Sequence, residues 1–225
     1  MGFIRKTLWT ILGVPAAALG AEYFYTIKVR EAETTDRLPK YSTLAAHRLA
    51  ENKARIDRFE RVIPLSSLTA SIGPDVDENS LARRLAKQVW LTSMYAPQRK
   101  LCERVFKDKQ EPGANLTYKE LEKAKVEPGF DVSQHLYVSD IVGTYVQFVP
   151  KVPPEVDFHG PGGVVCFDVQ RRGENMVFAI ESATIGIAAQ GPMPFADTLM
   201  FFAHQMYSRL LLESAVHRIL KGGGE

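Results

Sequence analysis

The chain has 225 residues and a mass of 25.1 kDa, which is enough for one ordinary domain or two small ones. Apolar residues make up 45% and charged residues 24%, a mix that excludes a disordered chain, a collagen and a polytopic membrane protein. The net charge of +2 is too small for the basic surface of a nucleic-acid-binding protein, so we expect no nucleic-acid partner. The 2 cysteines exclude a disulfide-rich scaffold and a four-cysteine zinc site.

An apolar run near the amino terminus predicts a membrane anchor over residues 1–27. The run covers residues 8–21, and a helix over residues 7–26 would have about the 20 residues that a bilayer requires. Aromatic side chains lie at both ends, as at a membrane interface: Trp9, Tyr23, Phe24 and Tyr25. We therefore expect a single-pass protein of the endoplasmic reticulum or another organelle membrane. A cleaved signal peptide, cut near residues 18–20, is the alternative.

The side of the membrane that the rest of the chain faces is left open. Basic residues are more frequent after the anchor than before it, which favours a cytosolic domain: Lys28, Arg30, Arg37 and Lys40. Asn115-Leu116-Thr117 is a glycosylation sequon, which is used only in the lumen.

Residues 28–55 are predicted to form a polar juxtamembrane linker over 28–42 and a short helix over 43–55. The weak alternation of Phe59 to Leu65 then predicts a strand. Asp75, with Glu78 three residues later, is typical of a helix start.

Apolar residues at helical spacing continue this predicted helix: Leu81, Leu85 and Val89. Pro97 is expected to end or kink it, and a second helical piece follows through Phe106. Residues 108–131 are polar and contain two Pro-Gly pairs, which predicts a long surface excursion with one helical turn.

Period-two patterns dominate the next part of the chain. One strand is predicted over 135–148, broken near Ser139-Asp140, and others over 164–169 and 176–188. Residues 172–175 have the composition of a hairpin turn.

A long helix over 195–221 follows and ends at the glycines of the tail, residues 222–225. We expect its buried stripe to consist of Phe195, Leu199, Phe202, Met206 and Leu210. Antiparallel strands flanked by helices indicate an α+β domain with the helices packed on one sheet.

The order of these elements resembles the START-like, or SRPBCC, helix-grip superfamily over residues 56–221. The parts that resemble it are the 59–65 strand, the 81–106 helical pair, the 135–189 strands and the final helix. The resemblance implies a curved antiparallel sheet closed by a long carboxyl-terminal helix, here preceded by one transmembrane helix. It also implies an apolar ligand between sheet and helix. Some members are lipid carriers, and others are cyclases, aromatases or hydrolases that need no cofactor.

The sequence contains no Walker loop and no Gly-x-Gly-x-x-Gly motif, so we expect no nucleotide cofactor. Its 5 histidines include no pair at metal-ligand spacing, and we expect no metal. Cys102, beside charged residues on a predicted helix, is interpreted as a packing residue.

Four residues are candidates for acid–base chemistry. Glu181 lies on an otherwise apolar strand face, where a carboxylate is costly unless it is paired or protonated. A structural ion pair with Arg83, Arg84 or Arg209 is the alternative. Asp168 shares a strand face with Cys166 and either enters a cavity or lies in solvent. His204 and Tyr207 lie in the final helix and could transfer protons to a ligand beneath it, although His204 also fits a helix-surface position.

These features favour a membrane-tethered, cofactor-independent enzyme of the cyclase or isomerase type. Its substrate would be a hydrophobic small molecule of lipid or specialised-metabolite biosynthesis. Two other hypotheses stay open. One is a non-catalytic lipid- or quinone-binding module, and the other is an interaction or assembly protein of an organelle membrane.

Overall fold

The structure is a computed structural model and describes residues 29–31, 53–74, 77–106, 117–150, 162–186 and 198–222. The anchor predicted over 1–27 and the sequon residue Asn115 lie outside the described residues. The described strands are β1 (Val29–Glu31), β2 (Lys53–Pro64), β3 (Asp131–Val132), β4 (Leu136–Val142), β5 (Tyr145–Pro150), β6 (Gly162–Arg172) and β7 (Asn175–Gly186). The described helices are α1 (Leu65–Ile72), α2 (Glu78–Leu91), α3 (Ala96–Phe106), α4 (Tyr118–Lys123) and α5 (Thr198–Leu220).

The described strands form one antiparallel sheet in the order β1-β2-β7-β6-β5-β4-β3. β2 and β7 pair along their full length, from Lys53 opposite Gly186 to Pro64 opposite Asn175. β6 and β7 form the predicted hairpin, and its turn places Gly173 at a φ of +61°, which glycine adopts without strain. The α+β class, with an antiparallel sheet and a carboxyl-terminal helix, is confirmed.

The main hydrophobic core joins one face of the sheet to the helices, and we call this the helix-bearing face. Alternate strand residues point into it, among them Phe59, Phe167 and Phe178. Trp90 of α2 packs edge-on against Phe167, with the ring centroids 5.6 Å apart. The second half of α5 adds Leu211, Leu212, Ala215, Val216 and Ile219.

The opposite face of the sheet, which we call the second face, is buried as well. A smaller apolar cluster lies there, formed by Tyr145, Val149, Val164, Cys166 and Ala183. Charged side chains of β2, β6 and β7 are also buried on this face: Arg58, Glu60, Asp168 and Glu181. Because charge in a buried layer is costly when unpaired, these groups have to find partners within it.

The beginning of the domain differs from the prediction. β1 lies inside the predicted linker and pairs with β2, with Val29 opposite Arg61. β2 starts at Lys53, so residues 53–55 are strand and not the end of a helix. Leu65, expected as the last strand residue, begins α1, a helix that the sequence analysis did not predict. The strand was predicted too short because its charged residues interrupt the apolar alternation.

The two helices after β2 also begin and end differently. Asp77 caps α2, and its side chain accepts a hydrogen bond from the backbone N–H of Ser80 at 2.7 Å. Asp75, the predicted cap, lies outside the described residues. α2 ends at Leu91, and Pro97 lies in the first turn of α3, where proline interrupts no helical hydrogen bond.

The predicted excursion over 108–131 contains the expected helical turn, α4. Thr117 and Glu120 form a capping box at its start. The segment is not only surface, however, because Leu121, Val126 and Phe130 are buried in the main core. These isolated apolar residues lie at no regular spacing, so the polar composition of the segment gave no indication that they are buried.

The predicted strand over 135–148 is a hairpin of two strands. Its break near Ser139 is a register shift between Val138 and Asp140. The chain reverses four residues later, where Gly143 has a φ of +57°. Val142 is 57% exposed because it lies next to this turn.

The apolar stripe predicted for the final helix is confirmed at Met206, which is buried, and wrong at Phe202. The side chains of Phe195 and Leu199 lie outside the described part of the chain. Phe202 is 50% exposed, whereas Leu212 and Ile219 are fully buried. Apolar residues are spread around the whole helix, so its sequence does not single out the face that packs on the sheet. The helix ends near Gly222, which has a φ of +73°, as the glycine run predicted. Among the described helices, none is both long enough and apolar enough to cross a membrane.

Candidate functional site

The four residues predicted as catalytic lie on opposite sides of the sheet. Glu181 and Asp168 belong to the second face, on β7 and β6. His204 and Tyr207 belong to α5, which packs on the helix-bearing face. The structure therefore joins the two acids to each other but not to the histidine and the tyrosine.

The two acids meet at a buried guanidinium. Arg58 Nε lies 3.0 Å from Glu60 Oε1, its Nη2 lies 3.1 Å from Asp168 Oδ2, and its Nη1 lies 3.6 Å from Glu181 Oε2. None of these four side chains is more than 3% exposed. We call Arg58, Glu60, Asp168 and Glu181 the ionic cluster.

Strand register explains why these residues meet. Arg58 lies directly opposite Glu181, and Cys166 lies opposite Glu181 on the other side of β7. Asp168 is two residues beyond Cys166 on the same face. The alternative that paired Glu181 with Arg83, Arg84 or Arg209 names the wrong partner, because Arg209 lies over the Phe59 ring on the helix-bearing face.

Further side chains around the ionic cluster complete the coordination of the carboxylates. The Tyr145 hydroxyl donates to Glu181 Oε1 at 2.6 Å, and Asp168 accepts from Thr144 at 2.9 Å and from Gln170 at 2.8 Å. Arg172 donates to Glu60 at 2.9 Å.

The environment of Glu60 shows how these contacts balance. Burial acts to raise the pKa of Glu60, but hydrogen bonds and charges from Arg172 and Arg58 outweigh it and lower the pKa. The contacts of the ionic cluster are those of a structural network between strands. A catalytic role for Glu181 and Asp168 stays a prediction.

His204 has a polar contact across the interface between α5 and the sheet. Its Nε2 lies 3.0 Å from the hydroxyl of Ser182, whose residue on β7 faces the helices. The contact ties the first half of α5 to the sheet. Its role as a catalytic histidine stays a prediction.

Tyr207 belongs to a second polar group, which we call the helix-side network: Tyr207, Gln98, His135 and Cys102. The Tyr207 hydroxyl donates to Gln98 Oε1 at 3.0 Å, and Gln98 Nε2 lies 3.2 Å from His135 Nε2. The other ring nitrogen, Nδ1, lies 3.8 Å from Cys102 Sγ. Gln98 and Cys102 are four residues apart on α3, so one helix face presents both to the imidazole.

A tight turn between β3 and β4 positions the imidazole. Ser133 and Gln134 have φ values of 53° and 57°, and the N–H of His135 donates to the carbonyl of Val132 at 3.2 Å. This is the geometry of a type I′ turn, which normally takes Asn-Gly. Asp131 supports it by accepting from the N–H of Gln134 at 2.8 Å. A left-handed conformation costs a residue other than glycine about 1–2 kcal/mol, so contacts with the surrounding elements must offset this cost at Ser133 and Gln134.

Burial favours the uncharged forms of the titratable groups in the helix-side network. It lowers the pKa of His135, and the nearby carbonyls of Ser133 and Val132 and the charge of Asp131 offset only part of this. Burial also raises the pKa of the Cys102 thiol and of the Tyr207 hydroxyl. At neutral pH the group is therefore a neutral imidazole beside a protonated thiol and a protonated phenol.

Two buried hydroxyls border this group. The Tyr95 ring stacks on the His135 ring with centroids 6.3 Å apart, and Ser133 precedes His135 by two residues. Both residues are 0% exposed. Among the described residues, neither hydroxyl has a hydrogen-bond partner of good geometry. Burial raises the pKa of Tyr95, and the nearby Ser133 hydroxyl offsets part of this rise.

The sequence analysis missed most of this second group. His135 appeared among the five histidines without a role, and Cys102 was interpreted as a packing residue. The only local signal is the four-residue spacing of Gln98 and Cys102, and residues at that spacing share a face of any helix.

A surface cleft of about 840 Å³ lies between α2 and α4. It is lined by basic residues, including Arg83, Lys87 and Lys123, and by acidic ones such as Glu122. None of the four predicted catalytic residues lines it. Within the part of the chain that the structure describes, no three His, Cys, Asp or Glu side chains are grouped as metal ligands.

Comparisons with known proteins do not extend this picture. No protein-family model, no curated protein and no solved structure matches the chain.

Proposed function

We propose that the protein is a membrane-tethered, cofactor-independent enzyme of the cyclase or isomerase type that acts on a hydrophobic small molecule. One observation supports this best: the hydrogen-bonded path from Tyr207 through Gln98 to His135. It holds a neutral imidazole between the last helix and the edge of the sheet, in surroundings of low polarity. A neutral, oriented imidazole is the usual general base at physiological pH.

We further propose that the sheet and α5 form a helix-grip arrangement. The order of the strands supports it, because β2 lies beside β7 and the remaining strands follow in descending order to β3. The position of α5 supports it as well, since this helix contacts both β2 and β7.

Exposed apolar side chains on α3 and α5 fit a hydrophobic substrate. Leu101 of α3 is 40% exposed and lies three residues after Gln98. Phe202 of α5 is 50% exposed and lies five residues before Tyr207. Exposed large apolar side chains on the two helices that supply the network give an apolar molecule a surface to contact.

The chemistry assigned to the network is proton transfer. His135 accepts a proton from the substrate. A positioned base of this type contributes about 10²–10⁴-fold to a rate. We assign the chemistry here before Glu181 and Asp168, because those carboxylates are already ion-paired to Arg58.

Native mass spectrometry of the full chain, with organic extraction of the purified protein, tests the first part of the proposal. We expect an apolar molecule of defined mass to co-purify. We also expect the protein to bind cis-parinaric acid, an apolar fluorescent probe. If no apolar molecule co-purifies and the probe does not bind, the proposal is wrong.

The second part is tested by incubating the extracted apolar molecules with protein in D₂O. Wild type should introduce deuterium into one of them, whereas His135→Asn should bind it without exchange. His217→Asn is the matched control, because His217 lies on α5 outside the network. Binding without exchange in wild type would favour the non-catalytic carrier, and an empty protein that self-associates would favour the assembly protein.

A further inference from the structure

We propose that Cys102 is a nucleophile that accepts an acyl group from an ester or thioester of a hydrophobic carboxylic acid, with His135 as its base and Gln98 as a positioning residue. The inference rests on the proposed function for the apolar character of the acyl chain. It names the substrate class and, at the same base, an acyl-transfer step in which His135 takes its proton from Cys102.

The geometric basis is the order thiol, imidazole, amide. Cys102 Sγ lies 3.8 Å from Nδ1 of His135, and the opposite ring nitrogen lies 3.2 Å from the Gln98 amide. A nucleophile within reach of a base, with the base oriented by a third group, is the arrangement by which activated nucleophiles are recognised on any fold. Cys102 is partly exposed rather than fully buried.

The Gln98 amide determines which ring nitrogen holds the proton. With Nε2 of the amide donating to Nε2 of His135, the imidazole proton is on Nδ1 and points to the sulfur. A half-turn of the amide brings Oε1 to the imidazole Nε2, which then carries the proton and leaves Nδ1 free as a base. The Tyr207 hydroxyl fits both orientations, because it can donate to the amide oxygen or accept from the amide nitrogen.

The reaction balances without a cofactor. Sγ of Cys102 attacks the acyl carbon while its proton passes to Nδ1 of His135. The bond from the acyl carbon to the leaving oxygen or sulfur breaks, and the leaving group takes that proton and departs as an alcohol or thiol. Water, or a hydroxyl of the same acyl chain, then attacks the thioester and gives its proton to Nδ1. The sulfur leaves and regains a proton, so the product is an acid or a cyclised ester.

The buried hydroxyls beside the imidazole fit the charge that develops in this reaction. The tetrahedral intermediate bears an oxyanion, which requires hydrogen-bond donors in a site of low polarity. Tyr95 and Ser133 are fully buried donors next to His135 without partners of good geometry among the described residues. We assign the oxyanion to these hydroxyls.

A purely structural network would have the same hydrogen bonds but no reactivity, so the test measures acylation. The full chain in detergent is mixed with p-nitrophenyl octanoate, and the release of p-nitrophenolate is followed with the mass of the intact protein. We expect a burst of about one equivalent and one octanoyl group, located at Cys102 by peptide mapping.

The second cysteine provides the matched control. Cys166 is 1% exposed on the other side of the sheet, so Cys166→Ser should keep the burst and Cys102→Ala should lose it. His135→Asn should slow acylation at least about 100-fold, the low end for a lost general base. Tyr95→Phe should slow it about 100-fold if its hydroxyl stabilises the oxyanion. Octanoylation of lysines only, or equal rates in wild type and His135→Asn, would overturn the proposal.

The pH profile of acylation distinguishes attack assisted by His135 from the intrinsic reactivity of the thiol, and it is measured on the wild-type protein. Because the pKa of His135 is lowered, its imidazole is unprotonated from about pH 6.5 upward. The acylation rate should therefore be flat from there to about pH 8. An unassisted thiol would instead gain nearly tenfold per pH unit over this range, and such a slope would refute the role of His135. If Cys102→Ala still binds cis-parinaric acid while wild type is not acylated, this inference fails and the proposed function stands. If the probe does not bind, the proposed function fails.

Discussion

Replacing Arg58 by Met should be among the most destabilising single changes in this chain. The guanidinium contacts three carboxylates within 3.6 Å, and its side chain is 1% exposed. Removing one partner of a buried ion pair leaves uncompensated charge and costs about 3–5 kcal/mol. The loss at Arg58 should fall in this range, which is a factor of more than about 100 in the folding equilibrium constant.

Arg172 offers a matched comparison in the same ionic network. It donates to Glu60 at 2.9 Å, but its side chain is 42% exposed. Solvent screens such a pair, so Arg172→Met should cost about 0–1 kcal/mol. Equilibrium urea unfolding of the full chain, followed by the fluorescence of buried Trp90, measures both changes. A loss at Arg58 no larger than that at Arg172 would refute this account of the ionic cluster.

Three further predictions follow from burial and hydrogen bonding. Tyr145→Phe removes the donor to Glu181 and should cost about 1–3 kcal/mol, measured by urea unfolding, whereas no change would mean that the bond is not formed. Leu212→Ala should cost about 2–5 kcal/mol because Leu212 is fully buried, and Phe202→Ala should cost under about 0.5 kcal/mol because Phe202 is half exposed. Thermal melts measure both changes, and the reverse order would favour the buried stripe predicted from the sequence. Because the pKa of Glu60 is lowered in the folded state, its contribution to stability is present above about pH 4.3 and is lost as the pH falls through the folded-state pKa. Arg172→Met should therefore change the acid unfolding curve, and an unchanged curve would contradict this prediction.

The helix-side network shows why a site can be invisible in a sequence. Gln98 and Cys102 lie on one helix, His135 lies in a turn more than thirty positions later, and Tyr207 is farther still. No local pattern marks them as neighbours. The turn itself uses Ser133-Gln134 in left-handed conformations, and these residue types do not predict a type I′ turn. Its geometry is imposed by the elements around it.

The ionic cluster could be predicted in part from the sequence. The alternation around Glu181 placed a carboxylate on an apolar strand face, and physical chemistry required a partner for it. The identity of that partner depended on register, because Arg58 becomes the neighbour of Glu181 only when β2 pairs with β7 in one alignment. Arg209 was equally plausible by charge but lies on the opposite side of the sheet.

By itself, the sequence determined the element types along most of the chain, the β6–β7 hairpin, the helix start near Glu78 and the long last helix that ends at glycine. These features depend on residues close together in the chain, where periodicity and turn chemistry act directly. Tertiary structure decided which face of α5 is buried, where β2 begins, and which polar residues meet. Those outcomes depend on packing between segments far apart in sequence. A helix with apolar residues on every side, or a strand buried on both faces, is compatible with several packing arrangements, and contacts with the rest of the chain select one of them.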